Sequence, residues 1–234
     1  VLRLARFAAR FADWKVAPET VALCKQIGES GELNHLTVER VWVEMEKAFS
    51  EKAPHRFMEV LMECNAIEHC DVLSRLFAPF GSMQLAFAKA LGLVPKERRL
   101  YVAVGVLSQH DVAMCGGPSR AQDCFLNVSG LSQAVSAADL LGVLKRARAQ
   151  QESEQFNDLV MAVLVYERAG YSSLLNFTAK QLLTAQHIIL QVRASDFEGV
   201  AGKELGAAIE QRRIKELEEG LDIPTTVSRR SSQE

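Results

Sequence analysis

Aromatic residues and proline are scarce in this sequence. Only 7% of its 234 residues are aromatic and six are proline, whereas alanine, leucine, glutamate, glutamine and arginine recur throughout. Such residues favour helices, and pleated strands would need more β-branched and aromatic side chains. With 48% hydrophobic residues, the chain is able to bury a substantial core. The composition therefore predicts an all-α fold.

A large excess of one charge and long apolar runs are also missing. The formal net charge is -2, so any groups that bind RNA must be local rather than spread over the whole chain. No apolar run approaches the roughly 20 residues that span a bilayer, and the first residues form no cleavable signal pattern. We therefore expect a soluble, cytoplasmic protein without a membrane partner.

Cysteine occurs in an odd number and without a regular spacing. The five cysteines include no C-x-x-C pair, which indicates a reducing compartment rather than a disulfide framework. Cys64, His69 and Cys70 come closest to a set of zinc ligands. Burial as small core residues is the expected role of the two cysteines, and we predict no metal site.

Residues 1–12 are amphipathic at helical spacing. The expected apolar face comprises Val1, Leu4, Ala8 and Phe11, and the neighbouring basic face comprises Arg3, Arg6 and Arg10. No capping residue precedes the pattern, which is already under way at the first residue. We therefore expect the chain to begin inside a helix.

Proline and threonine positions predict the next helix starts. Pro18 and Pro54 suit the first turn of a helix, and Thr37 is a good N-cap for the helix between them. These positions predict three further helices in the first 70 residues.

Helical periodicity is strongest at 132–149, 153–169 and 177–194, where helices should start near Ser132, Ser153 and Asn176. The run 160–165 is apolar nearly all round, so its helix should be central. A last amphipathic helix is expected at about 203–219, and the residues from Pro224 onward should be disordered.

Three segments near the start carry a recognisable pattern. They are VLRLARFAARF at 1–11, APET at 17–20 and GELNHLTVERVWVE at 31–44. Their order and spacing resemble the neck of class II tRNA nucleotidyltransferases and of the related bacterial poly(A) polymerases, and the third segment looks closest to the CCA-adding enzymes. A fainter likeness to the tail helix of the family returns at 199–206 and 211–214. The resemblance implies an elongated array of helices, with a neck at 1–70, a body at 71–198, a tail helix at 199–222 and a disordered end at 223–234.

The resemblance also implies a function that these residues would serve only in part. In this family, a catalytic head holds metal ions on paired aspartates, and a Glu-Asp-x-x-Arg motif in the neck pairs with the base of the incoming CTP or ATP. By register, that arginine would immediately precede Val1, so we expect the head and the motif to be missing. The chain would then be the tRNA-binding and template-supporting part of a CCA-adding enzyme, inactive alone. Its partners would be tRNA and the head, and Mg²⁺ with CTP or ATP would bind in the head rather than to this chain.

Two sets of neck residues receive roles from the resemblance. Arg3 and Arg6 would lie one and two turns after the missing arginine, where their guanidinium groups suit phosphate oxygens of a nucleotide or of tRNA. An ordinary solvated basic face is the alternative. Glu39, Arg40 and Glu44 match an element that is thought to brace the neck helices behind the nucleotide site. An i, i+4 salt bridge between Arg40 and Glu44 is the least that we expect of them.

Basic groups on predicted helices are candidates for contact with the tRNA backbone, because an RNA helix is recognised largely through its phosphates. The candidates are Lys145, Arg146 and Arg148 in one group and Arg212 and Arg213 in another, followed by Lys96, Arg98 and Arg99. Glutamates at 216, 218 and 219 dilute the second group, so a mixed-charge solvated surface explains it equally well.

Other interpretations stay open. His110 and Asp111 resemble the start of an HD phosphohydrolase motif, but further ligands at helical spacing are missing, so we expect an ordinary helix end. A poly(A) polymerase of the same family is one alternative function, although it would favour a more basic tail. A free-standing, non-catalytic helical protein that binds tRNA or acts as a scaffold is another.

Overall fold

The computed structural model describes residues 1–77, 81–108 and 112–223. Within these ranges the chain forms helices joined by short turns and contains no β-strand, so the predicted all-α fold is confirmed. The α-helices of the described residues are α1 (Leu2–Arg10), α2 (Pro18–Glu29), α3 (Val38–Phe49), α4 (Pro54–Glu63), α5 (Asp71–Phe77), α6 (Ser82–Ala90), α7 (Arg99–Leu107), α8 (Ser119–Gln133), α9 (Ala137–Arg146), α10 (Glu154–Arg168), α11 (Ala179–Gln191) and α12 (Gly202–Leu221).

Helices α2, α3 and α4 begin where the sequence predicts. Pro18 and Pro54 occupy the first turns of α2 and α4, where an N–H group would have no helical partner in any case. At the start of α3, the Thr37 hydroxyl accepts a long hydrogen bond of 3.4 Å from the backbone N–H of Arg40. Local chemistry at the helix ends therefore sets these boundaries.

The buried face of α1 differs from the predicted one. Its buried residues are Leu2, Ala5, Ala8 and Ala9. Of the predicted apolar face only Ala8 is buried, whereas Val1 and Leu4 are half-buried and Phe11 is 41% exposed. Helix α1 packs closely against α3 and α4, and alanines permit that approach better than large side chains. The larger apolar residues therefore lie at the rim of the interface or in solvent.

Among the described helices, α7 is the most deeply buried. Helix α10, which the apolar run 160–165 predicted to be central, packs against α6, α7, α8 and α11. Eight of the nine residues of α7 are buried, and it packs against α3, α6, α8 and α10. Gly105 permits the approach of α8, because a Cβ at this position would lie 2.5 Å from Cys124 Sγ. In α10, Leu164 is 36% exposed, so this helix keeps one edge in solvent.

The predicted helix start near Ser132 is wrong, because α8 continues through this residue. The next helix, α9, starts after Ser136, which forms a capping box with Asp139. The Asp139 N–H donates to Ser136 Oγ at 3.1 Å, and the Ser136 N–H donates to the Asp139 carboxylate at 3.1 Å. This reciprocal pair satisfies two backbone donors and fixes the boundary.

The later helices lie close to their predicted positions. Helix α10 begins after Ser153 as predicted, and the Ser153 hydroxyl accepts from the Phe156 N–H at 3.1 Å. Helix α11 is capped by Thr178 rather than by Asn176, whose side-chain amide instead donates to the Ala134 carbonyl at 2.8 Å. The predicted last helix is α12, which packs against α9 and α11.

Buried side chains form one continuous cluster that includes residues from Leu2 to Ile223. The Trp42 indole Nε1 of α3 donates to the Cys115 carbonyl at 2.9 Å and so joins the first helices to the middle of the chain. The division into neck, body and tail stays a prediction. The segment from Pro224 onward, predicted to be disordered, lies outside the described residues.

No single helix in the described part of the chain is both long and apolar enough to cross a membrane. Helix α5 and the segment Ser82–Leu93 reach that length and apolarity only when they are taken together, and they lie at 90° to each other.

Candidate nucleic-acid interface

An ion pair joins α1 to α3. Arg6 Nε lies 2.7 Å from Glu44 Oε2, and the two side chains are only 14% and 11% exposed. Glu44 lies on the inner side of α3, beside the buried Val41 and Met45. A charge-assisted hydrogen bond that is shielded from solvent is stronger than one between exposed groups. The pair, which we call the α1–α3 brace, therefore fixes α1 relative to α3.

The expected salt bridge between Arg40 and Glu44 does not form. Glu44 is 9% exposed and pairs with Arg6, whereas Arg40 and Glu39 are exposed on the outer side of α3. Although i, i+4 spacing permits contact along one helix, the carboxylate instead points toward the neighbouring helix. Bracing of the first helices therefore comes from Arg6 and Glu44.

The three arginines of α1 have different surroundings. Arg6 is held by the brace and also lies over the Phe7 ring, with Cζ 4.7 Å from the ring centroid. Arg3 and Arg10 are exposed, and Arg10 Cζ lies 5.5 Å from the centroid of the Phe11 ring. Arg3 and Arg10 therefore present their guanidinium groups to solvent, while Arg6 is mainly occupied within the protein.

Three aromatic side chains, which we call the aromatic strip, follow one edge of α1 and the turn after it. They are Phe7, Phe11 and Trp14, which are 38%, 41% and 70% exposed. The Phe7 and Phe11 ring centroids are 6.3 Å apart, and Phe11 and Trp14 stack at 5.1 Å with planes 25° apart. The strip borders a groove of about 210 Å³ between α1 and α2. The strip was not predicted from the sequence, although the spacing of these three aromatic residues indicates it.

A second charged group, the Asp158 cluster, was not predicted from the sequence, although one of its members, Arg98, is a candidate for contact with tRNA. It comprises Arg98, Arg120, Glu154 and Asp158. The Asp158 side chain is 1% exposed and accepts hydrogen bonds from Arg98 Nη1 at 2.8 Å and from Arg120 Nε at 2.7 Å. Arg120 also binds Glu154 at 2.6 Å. The hydrogen bonds that Arg120 donates to the Asp158 carboxylate are the main cause that raises the pKa of Arg120. In the sequence, the feature that indicates this cluster is a single acidic residue, Asp158, in the apolar part of α10.

The basic residues predicted to contact tRNA on α9 and α12 are partly neutralised by acids. Lys145 Nζ lies 2.8 Å from Glu210, and Arg212 lies 2.6 Å from Glu216. Both pairs are largely exposed, where such contacts add little stability.

The other three residues predicted to contact tRNA in these groups have different surroundings from Lys145 and Arg212. Arg213 Nε donates to the Ile189 carbonyl at 3.1 Å near the end of α11, and burial lowers the pKa of this guanidinium. Arg146 and Arg148 are exposed and take part in none of the ion pairs found among the described residues. Arg146 and Arg148 are therefore the more available cations.

No group of three or more histidine, cysteine, aspartate or glutamate side chains in 1–77, 81–108 and 112–223 is arranged to hold a metal ion. All five cysteines are buried, and none of them forms a disulfide. Burial, followed by the nearby Cys24 thiol, raises the pKa of Cys64 to about 11, so this thiol stays protonated at neutral pH. His110 and Asp111 lie outside the described residues.

Comparison with known proteins picks out the N-terminal helices. Residues 13–70 match the family described as "Probable RNA and SrmB- binding site of polymerase A". The chain is 48% identical to the Multifunctional CCA protein of Paraburkholderia phytofirmans over 37% of the chain and 20% of that protein. It is 54% identical to the protein of the same name from Tolumonas auensis over 29% of the chain and 17% of that protein.

A longer match reaches the later helices. The Multifunctional CCA protein of Verminephrobacter eiseniae is 27% identical over 94% of the chain and 66% of that protein. This alignment covers 276 positions, more than the 234 residues of the chain, so the relative has additional residues inside the matched span. The chain spans only 20% of the first relative named above. No solved structure matches.

Proposed function

We propose that the chain belongs to the family of CCA-adding enzymes and bacterial poly(A) polymerases, that it binds tRNA, and that it supports the addition of C, C and A to tRNA 3′ ends. One coincidence carries the proposal. The family's RNA-binding region matches residues 13–70, which contain Glu44 of the α1–α3 brace and present exposed cations such as Lys15 and Arg40. The relatives' name, Multifunctional CCA protein, favours CCA addition as the reaction that this binding serves.

The finer part of the proposal concerns the chemistry. Nucleotide transfer would be carried out by a separate catalytic head, with Mg²⁺ and CTP or ATP. Phosphoryl transfer depends on positioning and on stabilisation of charge. The contribution of this chain is then to position RNA against the head, in the cytoplasm, without transferring a nucleotide by itself.

Individual residues take distinct roles in this proposal. Arg3 contacts phosphate groups, and Arg6 with Glu44 keeps α1 in the orientation that this contact requires. Arg146 and Arg148 contact the tRNA backbone, since no carboxylate engages them in the described ion pairs. Arg213 stabilises the end of α11 instead, because its donors point to backbone carbonyls.

Binding is tested by measuring the affinity of the chain for tRNA across a range of salt concentrations. We expect affinity to fall linearly on a log–log plot, with a slope that reflects the number of phosphate contacts, at about 0.7–0.9 per contact. Replacing Arg146 and Arg148 together by glutamine should make the slope shallower. Lys215→Gln is the control and should leave the slope unchanged, because the Lys215 ammonium group faces Glu219. If tRNA does not bind even at low ionic strength, the proposal is wrong.

A second candidate function is poly(A) addition, because the matched region is described for polymerase A. The net charge of -2 argues against it, since binding to many unrelated RNAs favours a strongly basic protein. Affinity for an unstructured RNA of the same length as tRNA separates the two functions. The CCA-adding function predicts tighter binding of tRNA, and the poly(A) function predicts no such preference.

The role of the head is tested separately. The chain is incubated with a tRNA that lacks its CCA end, together with CTP, ATP and Mg²⁺. We expect no added nucleotide, and extension by this chain alone would contradict the proposed need for a head. The coding sequence immediately upstream should encode paired aspartates and a Glu-Asp-x-x-Arg motif in frame. A stop codon there would instead favour a free-standing module.

A further inference from the structure

Packing within the protein does not account for the exposure of the three rings of the aromatic strip. Trp14, one of the two tryptophans in the chain, is 70% exposed. The backbone N–H of Trp14 donates to the Phe11 carbonyl at 2.9 Å, so the turn after α1 holds the indole beside the Phe11 ring. The rings are therefore arranged in advance, with most of the indole surface left open.

Positive charge surrounds these rings. Arg3 and Arg10 are exposed on α1, and Lys15 lines the groove beside Trp14. Asp13 is the one acidic residue among the first 18 residues. A surface that combines cations with open aromatic faces suits a ligand that carries both anionic groups and flat rings.

We propose that the aromatic strip stacks unpaired bases of RNA, while the neighbouring cations contact the phosphates between them. Aromatic side chains and cationic grooves are the two elements by which proteins bind single-stranded nucleic acid without reading its sequence. A paired RNA helix buries its bases and presents chiefly phosphates and ribose. The strip is thus specific for an unpaired end or loop, whereas the exposed arginines at the end of α9 suit a helix.

This inference rests on the proposed function, because it names the part of the RNA that the first helix contacts. A protein surface could also cover the strip, but the surrounding charge favours a polyanion. The open face of Trp14 is the first stacking position. The Phe11 ring is already flanked by the indole and by Arg10, so it supports the indole more than it receives a base.

Trp14 itself supplies the signal for a test. Trp42 is only 7% exposed, so quenching of the solvent-exposed tryptophan emission reports on Trp14. The probes are a short single-stranded oligoribonucleotide, its abasic analogue, and a fully paired, blunt-ended RNA duplex whose strands have the same length. We expect the oligoribonucleotide to quench the emission. The abasic analogue and the duplex should leave it unchanged even where they bind.

Substitution tests the energetic contribution. Trp14→Ala should weaken binding of the oligoribonucleotide roughly tenfold, as expected for the loss of one stacked base, and leave binding of the duplex unchanged. Phe11→Leu should act in the same direction and more weakly. Leu93→Ala, which shortens a side chain that is 58% exposed elsewhere, is the matched control. Circular dichroism checks that each variant keeps its helical content.

The outcomes separate the inference from the proposed function. If Trp14→Ala binds the oligoribonucleotide as tightly as the unaltered chain does, the stacking role is overturned while RNA binding stands. Failure of every RNA to bind overturns both. An emission change that depends only on protein concentration, and that RNA does not affect, shows that a second copy covers the strip and overturns the stacking role.

Discussion

The α1–α3 brace and the Asp158 cluster both join arginines to carboxylates, but they differ in the amount of unpaired positive charge that lies beside them. In the brace, Glu44 neutralises Arg6, and Arg3 and Arg10 remain exposed on the same helix. In the Asp158 cluster, two arginines meet two carboxylates, so the charges balance. The first arrangement leaves a cationic surface beside it, whereas the second is complete within the protein.

This difference separates a contact that orients a binding surface from one that stabilises the fold. The brace is partly accessible, and its Glu44 lies within residues 13–70, which match an RNA-binding region. Asp158 is almost completely buried and links α10 to α8 and to the turn before α7. We therefore expect substitutions in the cluster to change stability, and substitutions in the brace to change both stability and RNA affinity.

Asp158→Asn should have the largest effect on stability. It removes a buried charge and leaves Arg98 and Arg120 without their shared partner, which typically costs about 3–5 kcal/mol of unfolding free energy. Urea denaturation followed by circular dichroism measures the loss. Glu154→Gln is the control, because the Glu154 side chain is 64% exposed and should contribute little. Equal stability of the Asp158→Asn variant and the unaltered chain would show that the cluster is dispensable.

Arg6→Gln should have the next largest effect. Loss of a hydrogen bond to a charged partner typically costs about 1.5–3 kcal/mol, and Glu44 would be left buried without its cation. RNA affinity should fall as well, because α1 is no longer held against α3. Arg40→Gln, an exposed change on α3, should leave stability unaltered. If Arg6→Gln unfolds the chain no more easily than Arg40→Gln does, the brace does not orient α1.

Gly105→Ala tests the packing between α7 and α8 without changing any charge. The added methyl group would lie 2.5 Å from Cys124 Sγ, so α7 and α8 must move apart, which typically costs about 1–3 kcal/mol. Gly142→Ala in α9 is the matched control, because no atom lies within 4 Å of its new Cβ. We expect Gly142→Ala to stabilise the chain slightly through helix propensity. Thermal unfolding midpoints should therefore shift in opposite directions.

Ser136→Ala should have the smallest effect, about 1 kcal/mol, from the loss of a helix cap. The Ser136 hydroxyl is the main cause that lowers the pKa of Asp139 below its ordinary value of 3.8. A lowered carboxyl pKa contributes stability above that ordinary value, and the contribution is lost as the pH falls through the folded-state pKa. The stability difference between the variant and the unaltered chain should therefore shrink in acid. A pH-independent difference would contradict this origin.

The sequence predicts features that depend on nearby residues and misses those that depend on distant ones. Helix starts at Pro18, Pro54 and Ser153 follow from local capping, and the structure confirms them. The partners Arg6 and Glu44 are 38 residues apart, so periodicity cannot show that they meet. The same limit hides the Asp158 cluster, whose arginines lie 60 and 38 residues from the carboxylate.

The predicted face of α1 is wrong for a related reason. Helical spacing groups apolar residues but does not reveal how closely a partner helix approaches. Contact with α3 and α4 selects the alanines of α1, and the large side chains are displaced outward. The roles of Arg3, Glu39 and Arg40 stay predictions, because they concern a bound nucleotide or RNA.

Hydrogen exchange of the backbone amides, with and without a tRNA that lacks its CCA end, tests the central claim most directly. The account predicts added protection in residues 1–17 and at the end of α9, and no change in α7 or in the middle of α10. Protection confined to the helices around the Asp158 cluster, with none in residues 1–17, would contradict it.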